Sequence, residues 1–130
     1  MMLANLTTIQ TSGDHVTATT RPISWIKAAR KDFEDFPVPV QTDALRALTF
    51  AAEGRMADHV KPLKGYDSGV MEIVLSHRGD AFRVVYAVQI GEDLWVIHAF
   101  QKKSKQGVKT SKHEIDLVHE RLKRLKEILR

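Results

Sequence analysis

A run of polar and cationic side chains closes one apolar stretch of this 130-residue chain: His98, Gln101, Lys102 and Lys103, with Lys105 close behind, at the exit of Leu94–Phe100. The apolar stretch reads as a strand, which fixes the backbone beneath them. Like charges held together disfavour one another's protonation, so lysine pKa values fall. A lysine shifted in this way can act as a general base toward a ribose 2′-hydroxyl. His98 is an alternative base, or a satisfied structural histidine. Arg83 interrupts a second apolar strand, on the face opposite Phe82, Val84 and Tyr86. A guanidinium does not easily serve as base, but it can hold a phosphorane dianion through paired hydrogen bonds. In a meander, the neighbours of Arg83 include the strand that carries His98 and leads to Lys102. The other reading of Arg83 is a cross-strand pair with Glu72 that solubilises an open sheet face. Phe100 stacks on a base if exposed, and belongs to the core if its strand is covered on both faces.

Several other chemistries lose support. Gly107-Val108-Lys109-Thr110 lacks the upstream glycine of a phosphate-binding loop, and no G-x-G-x-x-G turn or G-x-S-x-G elbow occurs. The six histidines (His15, His59, His77, His98, His113, His119) show neither H-x-x-x-H nor H-x-H spacing, so neither a metal nor a cofactor is expected. Cysteine is absent, which excludes disulfides, thiolate metal sites and cysteine catalysis, and fits a reducing cytoplasm. No apolar run approaches the ~20 residues of a membrane span. The first ten residues lack the basic and apolar regions of a signal peptide. The expectation is a cytoplasmic protein with no membrane association.

The chain's length suits one domain, and its 43% apolar and 28% charged residues are ordinary globular usage. The net charge of +4 hides an uneven layout. Residues 1–101 carry 10 basic and 12 acidic side chains, whereas residues 102–130 carry 10 basic and 4 acidic ones. A one-sided field of this kind suits a polyanion such as RNA, DNA or a ribosome. An anionic membrane surface, an acidic protein or a merely solvated basic tail would suit it too.

The elements that must position these groups follow from pattern. Residues 1–20 contain six threonines and little periodicity, and read as a flexible arm ahead of a domain over 21–130. Arg21–Ile26 reads as a short edge strand opened by Pro22. Trp25, Ala29, Phe33 and Phe36 fall on one face of a short helix that Pro37 and Pro39 stop. Val40, Ala44, Leu48, Ala51 and Ala52 stripe a second helix, which Gly54 ends. A loop over 55–67 leads to three strands, Val70–Ser76, Phe82–Ile90 and Leu94–Phe100, joined by turns at Arg78-Gly79-Asp80 and Gly91-Glu92. The Arg-Gly-Asp string is read as a turn, not as an adhesion motif. Ser111 and Glu114 form a capping box for a last helix striped by Ile115, Val118, Leu122, Leu125 and Leu129. That stripe docks on the sheet or the helical pair, or forms a homodimer seam. The whole is an α+β domain, its helices gathered on one face of a small antiparallel sheet.

From about Arg21 to Lys126 the chain resembles the RelE/ParE toxin superfamily, in its phage-associated HigB-like branch. The resemblance rests on Leu63-Lys64-Gly65, Met71-Glu72-Ile73, Phe82-Arg83-Val84-Val85-Tyr86 and His98-Ala99-Phe100-Gln101-Lys102-Lys103, followed by Lys109-Thr110 and the final helix. It implies a RelE-like fold: an N-terminal strand and helical hairpin packed on a meander sheet, with a C-terminal helix. It also implies the toxin of a type II toxin–antitoxin pair that cuts mRNA on the ribosome without metal, by attack of the 2′-hydroxyl, and so inhibits translation. The family's strand arginine falls on Arg83, its lysine pair on Lys102 and Lys103, its loop lysine on Lys64, and the third strand's histidine and aromatic on His98 and Phe100. Phosphate binding would fall to Lys64, Arg78, Gln101, Lys105 and Lys109. The implied partners are the ribosome, mRNA and a HigA-like helix-turn-helix antitoxin, in a homodimer or a toxin–antitoxin heterotetramer. Val74 departs from the pattern, since many members carry arginine two residues after the glutamate; Arg78 is the candidate to replace it. The rival expectation is a ParE-like gyrase inhibitor or a non-enzymatic phage-associated interaction module. On the first reading, Arg83→Ala, or Lys102→Ala with Lys103→Ala, removes growth arrest and leaves the fold intact.

Overall fold

The computed structural model describes residues 20–65, 69–88, 90–102 and 110–129. The expected arm lies outside these residues except for Thr20, as do Lys103, Lys105 and Lys109. The elements are β1 (Ile23–Trp25), α1 (Lys27–Phe33), α2 (Val38–Ala52), β2 (Val60–Pro62), β3 (Val70–His77), β4 (Asp80–Ala87), β5 (Leu94–Lys102) and α3 (Lys112–Leu129). The class is α+β, with a five-stranded open sheet in the order β1-β5-β4-β3-β2, consistent with a RelE-like fold.

The meander β3-β4-β5 is antiparallel throughout, as its turn residues require. Arg78 (φ 52°) and Gly79 (φ 86°) supply the positive-φ pair of a type I′ hairpin turn. An arginine is strained there, because its Cβ crowds the following carbonyl. Arg78→Asn, which gives this turn its preferred Asn-Gly pair, raises the unfolding free energy by about 0.5–1 kcal/mol, read as a shift of the urea midpoint. Gly54 (φ 84°) ends α2 as expected: Gly54 N–H donates to Ala51 O and Arg55 N–H to Phe50 O, the paired bonds of a Schellman stop.

Three details differ from the sequence expectation. First, β1 runs parallel to β5, so the sheet is mixed. Second, α3 lies on the opposite face from α1 and α2. Met71, Ile73, Leu75, Phe82, Val84 and Tyr86 pack with α1 and α2, whereas Val70, Val85, Ala87, Ile97 and Phe100 pack with Val118, Leu122 and Leu125 of α3. A sheet covered on both faces explains why β4 and β5 are apolar on both sides. Third, β2 occupies what reads as loop. It is a three-residue edge strand ending in Pro62, too short and too polar to show a period, and it places Lys61 opposite Glu72.

The first core holds an aromatic chain: Trp25–Phe33, Phe33–Phe36 and Phe36–Phe82 have ring centroids 4.9, 5.7 and 4.9 Å apart. Only Phe33 and Ala29 of the expected helical stripe are in α1; Trp25 belongs to β1 and Phe36 to the joint before Pro37. The stripe is therefore a core contact shared by three elements.

A β-bulge sits in β5. Val85 faces His98 and Tyr86 faces Val96, which leaves Ile97 as the extra residue. The inserted residue turns Ile97 to the α3 face beside Phe100, while Val96 and Ala99 remain in the opposite core.

Candidate functional site

The even-numbered residues of β3 and the odd-numbered residues of β4 share one sheet face. On it, register places Val74 opposite Arg83, Arg83 opposite Phe100, and Lys102 opposite Ala81. Lys61 of β2, Glu72 of β3, Arg83 of β4 and Lys102 of β5 thus meet across four adjacent strands, near the start of α3.

Glu72 is the centre of this group and is 2% exposed. Its Oε2 accepts a 2.6 Å bond from Thr110 Oγ1 and lies 3.9 Å from Arg83 Nε, and its Oε1 lies 4.0 Å from Lys61 Nζ. Arg83 is 6% exposed. It donates from a terminal nitrogen to its neighbour Phe82 O at 3.0 Å, while its Nε is buried with no hydrogen-bond partner. Glu72 is thus a diagonal partner of Arg83, but the pair lies inside the molecule and not on an open face. A charge there is tolerable only in the presence of its counter-charge. The expectation that Arg83→Ala leaves the fold intact changes accordingly.

Lys102 is half-buried at the end of β5. Burial lowers its pKa below the ordinary lysine value; Arg83 pushes the same way, Glu72 pulls it back, and Lys61 lowers it again. The crowding expected from neighbouring lysines in sequence is supplied here by cations on adjacent strands. Lys103, Lys105 and Lys109 lie outside the described residues.

His98 is 3% exposed and both its ring nitrogens are occupied. An Arg121 terminal nitrogen donates to Nδ1 at 3.0 Å, and Nε2 lies 2.6 Å from Glu114 Oε1. Because arginine can only donate, Nδ1 is the acceptor and the proton is on Nε2, directed at the carboxylate. The same Arg121 nitrogen donates to Ile97 O, the bulge carbonyl, at 3.1 Å. His98 also stacks on Phe100, with centroids 4.9 Å apart. This arrangement fastens β5 to α3. It engages the Glu114 side chain, so only the Ser111 half of the expected capping box forms, as a long 3.5 Å contact from Glu114 N–H. Burial, opposed by the Glu114 hydrogen bond, leaves the His98 pKa below its ordinary 6.5.

That lowered value makes stability depend on pH. Between the folded pKa and 6.5, the unfolded chain binds the proton that the folded chain refuses, so this stabilisation is present above 6.5 and is lost as pH falls below it. The urea midpoint therefore falls on acidification through that window with a slope of no more than about one proton from this residue, and His98→Asn flattens that part of the curve.

The remaining sequence candidates are dispersed. Gln101, opposite Phe82, is half-buried beside a cleft. Arg78 is at the β3–β4 turn. Lys64 is exposed, just past the Pro62 end of β2, which pairs with Met71, whereas Lys102 lies toward the Ser76 end of the sheet. Sequence reasoning missed Lys61, Thr110, Glu114 and Arg121 as partners. The glutamate–arginine pair had a signal, two opposite charges in strands otherwise apolar; Lys61 had none, because its strand was not legible.

Among the described residues no helix is long and apolar enough to cross a membrane, and no group of histidines and carboxylates could hold a metal ion. Residues 31–123 match a family model described as phage derived protein Gp49-like (DUF891). No curated protein matches the chain.

Proposed function

The chain belongs to the Gp49-like phage-derived protein family, a RelE/toxin-like family, and from that premise we propose that it is the toxin of a type II toxin–antitoxin pair, an endoribonuclease that cuts mRNA on the ribosome. The observation that carries the reading is the placement of Lys102 beside Arg83 on one sheet face, with its ammonium form disfavoured. An amine of lowered pKa is suited to take the 2′-hydroxyl proton as that oxygen attacks the adjacent phosphorus and the P–O5′ bond breaks. Lys61 and Lys103, with Lys64, Lys105 and Lys109, supply positive charge for the phosphate backbone. Arg83 acts from beneath, through its field on Lys102. A HigA-like helix-turn-helix antitoxin would neutralise the toxin, and the compartment would be the cytoplasm.

One observation favours the rival, a gyrase inhibitor or another non-enzymatic module. Val74 stands opposite Arg83 where many relatives of this type carry a second arginine, and Arg83 itself is nearly inaccessible. Induced expression followed by mapping of mRNA 5′ ends separates the two. New ends inside translated codons are the expected result. Intact mRNA with an SOS response overturns the nuclease reading in favour of gyrase.

A further inference from the structure

We propose that the outer edge of β5, from Ala99 to Gln101, receives an extended, basic polypeptide segment as an added strand. The proposal goes beyond the toxin reading and does not rest on it.

The argument begins with β1, which covers only Leu94–Val96 of β5. Ile26 N–H donates to Val96 O, after which the chain leaves the sheet for α1. Beyond that point β5 has β4 on one side and no strand on the other among the described residues.

The direction of its polar groups follows from the ladder. Val74 N–H bonds to His59 O, away from β4, so Val74 and Arg83 form a non-hydrogen-bonded pair and Arg83 turns its groups toward Phe100. Alternation then directs the N–H and C=O of Ala99 and Gln101 outward. Neither residue has a backbone partner on that side among the described residues. Ala99 is 1% exposed, so its side chain is fixed in the core while its backbone lines a cleft of about 610 Å³.

The cleft's chemistry selects the occupant. Its rim carries Asp32, Asp35, Asp80 and Glu114. Glu114 is shared with His98, but Asp32, Asp35 and Asp80 are exposed and make no ion pair among the described residues. An acidic rim repels a nucleic acid and attracts lysine or arginine side chains. A strand entering the cleft would complete backbone hydrogen bonds along the edge and direct alternate side chains to the two walls. The opposite sheet edge shows the contrast. There β2 is blunted by Pro62 and the charged Lys61, whereas residues 97–101 of β5 contain neither proline nor charge to discourage pairing.

The test is an amide NMR titration of the full chain with a heptapeptide of alternating valine and lysine. The expected result is a shift of the Ala99 and Gln101 amides and their protection from hydrogen exchange. Asp32→Lys with Asp35→Lys, both exposed positions, weakens binding by about tenfold or more. A peptide N-methylated at alternate backbone nitrogens loses binding while keeping its charge. Four results overturn the proposal: no perturbation at millimolar peptide; equal binding of the valine–glutamate counterpart; undiminished binding of the N-methylated peptide, which signals charge attraction alone; or concentration-dependent protection of the same amides without peptide, which identifies a second copy as the occupant.

Discussion

Arg83→Ala lowers the unfolding free energy by about 3–5 kcal/mol, as expected when one member of a buried ion pair is removed. The carboxylate it abandons, Glu72, is 2% exposed and keeps only Thr110 as a hydrogen-bond donor and a distant Lys61 at 4.0 Å. Either the carboxylate remains charged in an apolar layer, or it takes up a proton that the unfolded chain would not hold at neutral pH; both alternatives favour unfolding. Glu72→Ala fails for the reciprocal reason, since it leaves a buried guanidinium whose Nε already has no partner. The double variant Arg83→Met with Glu72→Leu removes both charges and fills the space, and it recovers most of the loss. Urea denaturation followed through Trp25 and Trp95 reads all three, and the single variants melt about 10–20 °C below the parent. A cost under about 1 kcal/mol for Arg83→Ala would mean that the pair is solvated and that the charge network described here is wrong. Loss of growth arrest in Arg83→Ala therefore does not identify a catalytic arginine, because an unfolded toxin is also silent.

The fold was largely legible because its signals are local or periodic. The meander is marked by turn residues at Arg78-Gly79 and Gly91-Glu92, α2 by its apolar stripe and Gly54, and α3 by its three-and-four spacing; all of these lie within a few residues of what they specify. What was not legible depends on partners distant in sequence. The parallel direction of β1 is set by its pairing with β5 some seventy residues later. The side of the sheet on which α3 docks is set by the bulge at Ile97 and by Arg121 reaching its carbonyl, neither of which has a spacing signature. The apolar residues on both faces of β4 and β5 did carry the information, since a sheet with one open face would alternate.

The candidate site was legible as an inventory and not as an arrangement. Arg83 and Lys102 stand out because charges in or beside apolar strands are costly, and the structure brings them to one face. Their roles were harder to read. Arg83 looked like a surface clamp but is buried beneath a carboxylate, a difference made by the covering helix. His98 looked equally like a base or a structural histidine; its bonds to Glu114 and Arg121, sixteen and twenty-three residues away, use both nitrogens for fastening. Lys64 was grouped with the lysine pair by resemblance, and the register places it toward the other end of the sheet.

Lys102 is the residue at which fold and chemistry separate most cleanly. It is half-buried at a strand end and, unlike Arg83, is not a member of the enclosed pair. Lys102→Ala should change stability by no more than about 0.5 kcal/mol, the range of ordinary surface substitutions. If its amine is the base, the same change lowers the single-turnover cleavage rate on mRNA-loaded ribosomes by about 10²–10⁴-fold. Lys102→Arg decides between base and anchor. Arginine keeps the positive charge but does not give up its proton near neutral pH, so a base is lost while a phosphate anchor survives. The wild-type rate should rise with pH as Lys102 deprotonates and level off below the ordinary lysine value, because burial and Arg83 lower its pKa. Lys61→Gln removes one of the cations that lower that pKa, so the pKa rises and the rising limb moves to higher pH. At fixed pH this variant is slower, yet its plateau is unchanged, a split that a purely structural role for Lys61 would not produce. Cleavage by Lys102→Arg at the parental rate would remove Lys102 as the base and leave the sheet face as a binding surface alone.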